Sequence, residues 1–281
     1  MKLLRYGPPG EEKPGILDTD GAIRDLSGHL GDIDGEAIGA ASLARLRGIE
    51  PESLPEVAGR PRIGPCVGNV GKFVAIGLNY SDHAKEAGMA IPDEPVIFTK
   101  ATSSISGPND DIVMPRGASK VDWEVELGVV IGGHAKYVDE DEALDCVAGY
   151  CVVNDVSERA FQLETSGQWV KGKSADTFGP IGPWLVTADE VPEPQDLHLW
   201  LEVNGEPAQD GSTRTMIFPV AYLVSFVSRF MSLQPGDIIA TGTPPGVGLG
   251  RSPPSFLNPG DVVTLSIDGL GTQRQEVVAA D

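Results

Sequence analysis

The sequence predicts a β-rich α+β fold, and three observations predict it. The 281 residues include 35 glycines and 23 prolines. With 41% hydrophobic and 22% charged residues the composition is that of a globular chain, so these breakers mark turns rather than disorder. Glycine supplies positive φ and proline fixes φ where a chain reverses, so frequent turns fit many short strands better than a helical bundle. Between the turns lie apolar runs of strand length, and Asp20-Gly21 and Asn204-Gly205 are hairpin signals.

Taken in order, residues 1–65 read as a small N-terminal α/β domain. It holds the hairpin about Asp20-Gly21, a short helix over Glu36–Leu46, and a proline-rich connection through Pro51, Pro55, Pro61 and Pro65. Residues 66–281 form the main domain, whose first strand is Phe73-Val-Ala-Ile-Gly. A turn and a short helix follow, with Ser81 as N-cap and Gly88 as its stop. Val96–Lys100 and Asp111–Met114 read as strands, and Val121–Ile131 as the longest strand. Asp139–Val147 reads as a helix leading into a strand over Tyr150–Asp155. Leu197–Val203 alternates before Asn204-Gly205. Pro219–Leu233 is the strongest helix, apolar along its length and therefore expected to be buried. Strands return at Gly236–Pro244 and Val262–Ile267.

A formal charge of −20 with no basic stripe excludes nucleic acid and anionic membranes as partners. The N-terminal apolar run is too short for a signal peptide, and no eighteen consecutive residues are apolar, so a cytoplasmic location is expected. Cys66, Cys146 and Cys151 cannot all pair and lack Cys-x-x-Cys spacing. They are expected as buried thiols rather than as a disulfide framework or zinc clip.

Chemistry is signalled by Val121-Asp-Trp-Glu-Val-Glu-Leu. At strand period the apolar residues point one way, and Asp122, Glu124 and Glu126 point the other. Like charges stacked on one face repel. Either a hard divalent cation such as Mg²⁺ or Mn²⁺ compensates them, with Asp155 on a neighbouring strand as a further ligand, or the strand is an edge whose acidic face is solvated. His83 and Glu86, three apart on a helix, share a side. The carboxylate can orient the imidazole as a general base, though an ordinary exposed pair would have the same spacing.

Five motifs occur in one order: Gly77-Leu-Asn-Tyr-Ser-Asp-His-Ala-Lys-Glu86, Asp122-Trp-Glu-Val-Glu-Leu-Gly128, Asn154-Asp-Val-Ser-Glu-Arg-Ala-Phe-Gln162, Lys171-Gly-Lys-Ser-Ala-Asp-Thr-Phe-Gly-Pro-Ile-Gly-Pro183 and Thr241-Gly-Thr-Pro244. From about residue 72 onward the chain thereby resembles the fumarylacetoacetate hydrolase family. The resemblance implies a mixed β-roll, a homodimer, and Mg²⁺ or Mn²⁺ held by Glu124, Glu126 and Asp155. It implies His83 and Glu86 as the dyad that activates water, Lys173 as the active-site lysine, and Arg159, Gln162 and Thr243 on the substrate side. One departure is visible: Ser157-Glu158-Arg159-Ala160 stands where the family more often has Ser-Ala-Arg-Asp, which leaves the partner of Arg159 open.

The function this implies is hydrolysis of a 2,4-dioxo acid, an acylpyruvate or a 2,4-diketo-3-deoxy sugar acid, with release of pyruvate. In its long form the chain is similar to 2,4-diketo-3-deoxy-L-fuconate hydrolases and to sequences labelled ureidoglycolate lyase. The rival is an isomerase or decarboxylase of the 2-hydroxyhepta-2,4-diene-1,7-dioate type. A non-catalytic sugar-acid-binding protein is the alternative outside enzymes.

Overall fold

The computed structural model describes residues 1–86 and 90–280, and of His83, Ala84 and Glu86 it describes the backbone. Strands β1 (Lys2–Tyr6), β2 (Lys13–Leu17) and β3 (Ile23–Asp25) precede helix α1 (Ala40–Leu46). Next come β4 (Phe73–Gly77), α2 (Ser81–Glu86), β5 (Val96–Lys100), β6 (Ile105–Ser106) and β7 (Ile112–Met114). Strands β8 (Val121–Asp122), β9 (Val125–Ile131), β10 (Val147–Asn154) and β11 (Ser157–Glu158) lead to the short helices α3 (Arg159–Leu163) and α4 (Val170–Lys173). The chain ends with β12 (Gly179–Thr187), β13 (His198–Val203), β14 (Glu206–Ser212), α5 (Val220–Phe230), β15 (Ile238–Ala240), β16 (Val262–Ile267) and β17 (Gly271–Ala279).

Ten strands form one mixed sheet in the order β3-β2-β1-β12-β10-β9-β15-β4-β5, with β6 beside β12. Five form a second sheet, β14-β13-β16-β17-β7. The large sheet is apolar on both faces. Val74 and Ile76 of β4 and Tyr150 and Val152 of β10 pack with Leu201, Leu265 and Ile267 of the second sheet. Their alternates Phe73, Ala75, Cys151 and Val153 pack with Leu26, Ile38 and Leu43 of the N-terminal region. Burial on both faces explains why these strands read as unbroken apolar runs instead of alternating with polar residues. The boundary near residue 65 therefore falls inside a shared structure, since β1 pairs antiparallel with β12 and Leu3 is fully buried in the common core.

Several elements differ from the sequence reading. The first helix begins at Ala40 rather than Glu36, because Gly39 before it is extended. Asp139–Val147 is no α-helix: it is turn followed by a 3-10 segment over Ala143–Cys146. Asp141 and Asp145 would stack like charges one turn apart, as would Asp139 and Glu142. The strand expected over Val121–Ile131 is split at Trp123 and Glu124. There side chains replace the ladder: Asp122 Oδ1 accepts from the Trp123 amide, and Asn154 Oδ1 from that of Glu124. The strongest helix runs Val220–Phe230 with Pro219 capping it, and it is buried along one side while Phe230 stays 58% exposed. Strand β12 escapes a sequence reading because Pro180 and Pro183 argue against a central strand. The register against β10 shifts between Tyr150 and Val152, and this irregularity accommodates Pro183. Cys66 and Cys151 are buried and Cys146 half-buried, all as free thiols. Gly88 lies outside the described residues. No helix among the described residues is long and apolar enough to cross a membrane.

Candidate active site

Strands β9 and β10 are antiparallel, so the start of β9 lies beside the end of β10, and this places Glu126 opposite Val153 and Asp155 just beyond. The Asp155 amide donates to the Glu124 carbonyl at 2.9 Å, which fixes the two segments against each other. Strands β4 and β15 run antiparallel to β9 and end at the same side of the sheet, bringing Gly77 and Gly242 to it. Oxygens of Glu124, Glu126 and Asp155 consequently lie within 4.8 Å of one another. All three residues are buried, as is Asp122, and β9 is an interior strand, so a solvated acidic edge is excluded.

Cations compensate most of this charge. Lys173 Nζ donates to Glu124 Oε2 at 2.6 Å and to Asp155 Oδ2 at 2.7 Å. Arg159 donates from Nε to Asp122 Oδ2 at 2.8 Å and from Nη2 to Glu124 Oε1 at 2.7 Å, while its Nη1 reaches Gln162 Oε1 at 3.0 Å. Lys100, fully buried, donates to Asp155 Oδ1 and to the Val156 carbonyl. Asp122–Arg159–Glu124–Lys173–Asp155–Lys100 is thus one continuous chain of ion pairs. Glu126 stands outside it. Its Oε2 accepts from the Gly242 amide at 2.9 Å, and among the described residues it makes no ion pair.

Titration follows from these contacts. Burial acts to raise the Glu124 carboxyl, but the ammonium of Lys173 and the guanidinium of Arg159 outweigh it and bring the group down to about 2. Burial pushes Glu126 well above the ordinary carboxyl range, and the neighbouring Asp155 and Glu124 push it further. Burial lowers Lys100, with Lys173 adding to the effect against the pull of Asp155. Lys173 is instead raised, because Asp155 and Glu124 overcome its burial.

Among the described residues four carboxylates thus face three cations, and the uncompensated one sits where the oxygens converge. Three hard oxygen donors, one of them a buried carboxylate with no cation among the described residues, fit Mg²⁺ or Mn²⁺, so the residues present suit the ion that the sequence motifs imply.

The cluster forms the floor of a cavity of about 450 Å³. Gly77 shapes one wall, since a Cβ there would meet the Trp169 ring at 2.4 Å. Leu78 turns the chain out of β4 toward α2 with φ of 55°, a left-handed conformation rare for leucine. The α2 backbone is helical from Ser81 to Glu86, so it can carry the expected dyad, but the side chains of His83 and Glu86 lie outside the described residues. Gln162 and Thr243 line the cavity. The Thr243 hydroxyl is already engaged, donating to the Val125 carbonyl and accepting from Gln209 Nε2. Glu158 is no partner for Arg159. It caps α3 by accepting from the Phe161 amide, and it also accepts from the amides of Ser119 and Lys120. The sequence departure at this position therefore leaves the arginine's pairing with Asp122 intact.

Sequence reasoning missed Lys100 and the anchoring role of Asp122. A signal existed for Lys100: on β5 it continues the parity of Val96 and Phe98, which turns a lysine inward.

Residues 72–278 match the fumarylacetoacetate (FAA) hydrolase C-terminal family. A Burkholderia cenocepacia protein provisionally named a hydrolase is 67% identical over 276 residues, covering 98% of each chain. A Mycobacterium abscessus structure provisionally described as a 2-hydroxyhepta-2,4-diene-1,7-dioate isomerase superposes with TM-score 0.86 at 33% identity over 100% of both chains. A maleylpyruvate hydrolase from Sphingobium sp. SYK-6, solved with manganese(II) and pyruvate, does so with TM-score 0.81 at 29% identity, again over 100% of both. With the family matched over most of its length and the motif carboxylates gathered at one end of the sheet, the chain belongs to the fumarylacetoacetate hydrolase family.

Proposed function

We propose that the protein hydrolyses a 2,4-dioxo acid and releases pyruvate. The observation that carries this reading is the buried carboxylate cluster at the floor of a cavity, with one carboxylate lacking a cation and an ammonium group beside it. The manganese(II) and pyruvate held by the Sphingobium hydrolase lend support.

Glu124, Glu126 and Asp155 would hold Mg²⁺ or Mn²⁺, which when bound supplies Lewis acidity toward the oxygens of a 2-oxo acid. Arg159 keeps Glu124 ionised and aimed, and Asp122 in turn holds Arg159. Lys173 has three N–H groups and directs two of them to carboxylates, which leaves one for an oxygen in the cavity. His83, oriented by Glu86, takes a proton from water. The resulting hydroxide adds to the C4 carbonyl, the C3–C4 bond breaks, and its electron pair leaves as the enolate of pyruvate. Lys173 stabilises the enolate oxygen until C3 is protonated, and the acyl half departs as a carboxylic acid.

Pyruvate release from acetylpyruvate in the presence of Mg²⁺ tests this reading. Lys173→Met should lower kcat by about 10²-fold or more, and His83→Ala should do likewise. The isomerase reading, favoured by the Mycobacterium abscessus neighbour, predicts instead turnover of a dienedioate with no pyruvate formed. Failure to release pyruvate from any 2,4-dioxo acid would overturn the hydrolase.

A further inference from the structure

The cavity lining is of two chemical kinds. Its charged lining residues, Glu124, Glu126, Arg159 and Lys173, belong to the floor cluster. Apart from Gln162 and Thr243 the rest of the wall is largely apolar, built from Leu78, Phe98, Leu163, Trp169, Val247 and Leu249, with Phe98 and Trp169 meeting edge to face at 5.3 Å.

Among the described residues Arg159 and Lys173 are the only cations lining the cavity, and both are bound to the floor carboxylates. Cations nearby in sequence turn elsewhere: Lys171 donates to Thr165 Oγ1, and Arg251 lies over the Trp123 ring and donates to the Pro207 carbonyl. Leu163 and Leu249 are 46% and 38% exposed, so two of the few large apolar side chains left open to solvent belong to this cavity. Exposed apolar surface lining a cavity is what an apolar ligand would cover.

Charge leads to the same place. Among the described residues the floor carries one more carboxylate than cation. A divalent ion there would reverse the sign to a single positive charge, which one substrate carboxylate balances and two would overshoot.

Resting on the hydrolase reading for the position of the 2-oxo acid head, we propose that the site selects 2-oxo acids with one carboxylate and an uncharged alkyl or aryl distal group. It discriminates against dicarboxylates and polyhydroxy chains, because among the described residues a second charge would meet no free cation there and several hydroxyls would find little beyond the Gln162 amide.

The test uses ligands that cannot be cleaved. 2-Oxohexanoate and 2-oxoadipate share a carbon skeleton, differ in the terminal carboxylate, and lack the 4-oxo group. Calorimetric titration of the full chain with Mg²⁺ in excess should show 2-oxohexanoate binding at least ~30-fold tighter. Across straight-chain 2-oxo acids, each added methylene should tighten binding about fourfold until the cavity is filled. Leu163→Arg, a change at a half-exposed position, should shift the preference toward 2-oxoadipate by about tenfold or more. Leu249→Arg repeats the test should the first variant fail to fold. Equal or tighter binding of 2-oxoadipate by the unaltered protein, or no binding of either acid, overturns the inference. An apolar preference in binding together with no pyruvate release from any 2,4-dioxo acid would sustain the inference about the wall and overturn the hydrolase instead.

Discussion

Two charge networks in this molecule use the same residue types to opposite ends. One joins the N-terminal region to the body of the protein: Arg62 pairs with Glu12 at 2.9 Å and with Asp110 at 2.5 Å, and Arg5 pairs with Asp32 at 2.6 Å. Water reaches its outer members, the side chains of Arg62, Asp110 and Asp32 each being about one quarter exposed, while Arg5 and Glu12 are 11% and 5% exposed. The other is the cavity floor, where Arg159, Lys173 and Lys100 and their carboxylates are all within a tenth of complete burial. Desolvating so many charges costs several kcal/mol per ion, and well-packed apolar residues would stabilise a fold at least as well. The exposed network is thus explained by attachment, and the buried one by chemistry that needs its charges.

Removing one member from each network separates the two roles. Arg159→Met leaves Asp122 buried with no cation and strips one partner from Glu124. A loss of about 3–5 kcal/mol in urea unfolding is expected, and a loss below 1 kcal/mol would show that water relieves the cluster.

Acid sharpens the same contrast. The Glu124 carboxyl is held at about 2 in the fold against an ordinary 4.5, so its contribution is complete above 4.5 and is lost as pH falls toward 2. In chelator-treated protein the unfolding midpoint should drop over that window, and Glu124→Gln should remove this part of the slope. The smallest effect is expected at the exposed network. Arg62→Met should cost about 1 kcal/mol or less, and that cost should shrink further in 1 M salt, where the floor cluster stays insensitive.

How far each region is legible in the sequence follows the same division. The alternation Asp122-Trp-Glu-Val-Glu-Leu announces a face of acids, and the motif order supplies the candidate ligands and the family. What compensates those acids is not local. Arg159 reaches back 37 positions to Asp122, and Lys100 meets Asp155 across 55. Only the folded sheet brings these residues together: the guanidinium of Arg159 holds Asp122, Glu124 and Gln162 from a position that lines the cavity, the side on which the sequence reading expects substrate. The hairpins at Asp20-Gly21 and Asn204-Gly205 were readable because turn chemistry is local: Asn204 and Gly205 adopt φ of 56° and 79°, as a tight hairpin requires. Strand β12 was hidden by its prolines. The continuity of β1 with the main sheet was hidden because pairing with β12 spans 184 positions from Lys2 to Val186.

The proposed divalent-cation site turns on Glu126, whose carboxylate meets no cation among the described residues. Electron paramagnetic resonance of free Mn²⁺, titrated into chelator-treated protein and into Glu126→Gln, measures this directly. One tightly bound ion per chain is expected, with affinity about 30-fold weaker or more in the variant. Equal affinity in the two proteins, or no binding by the unaltered chain at neutral pH, would contradict it.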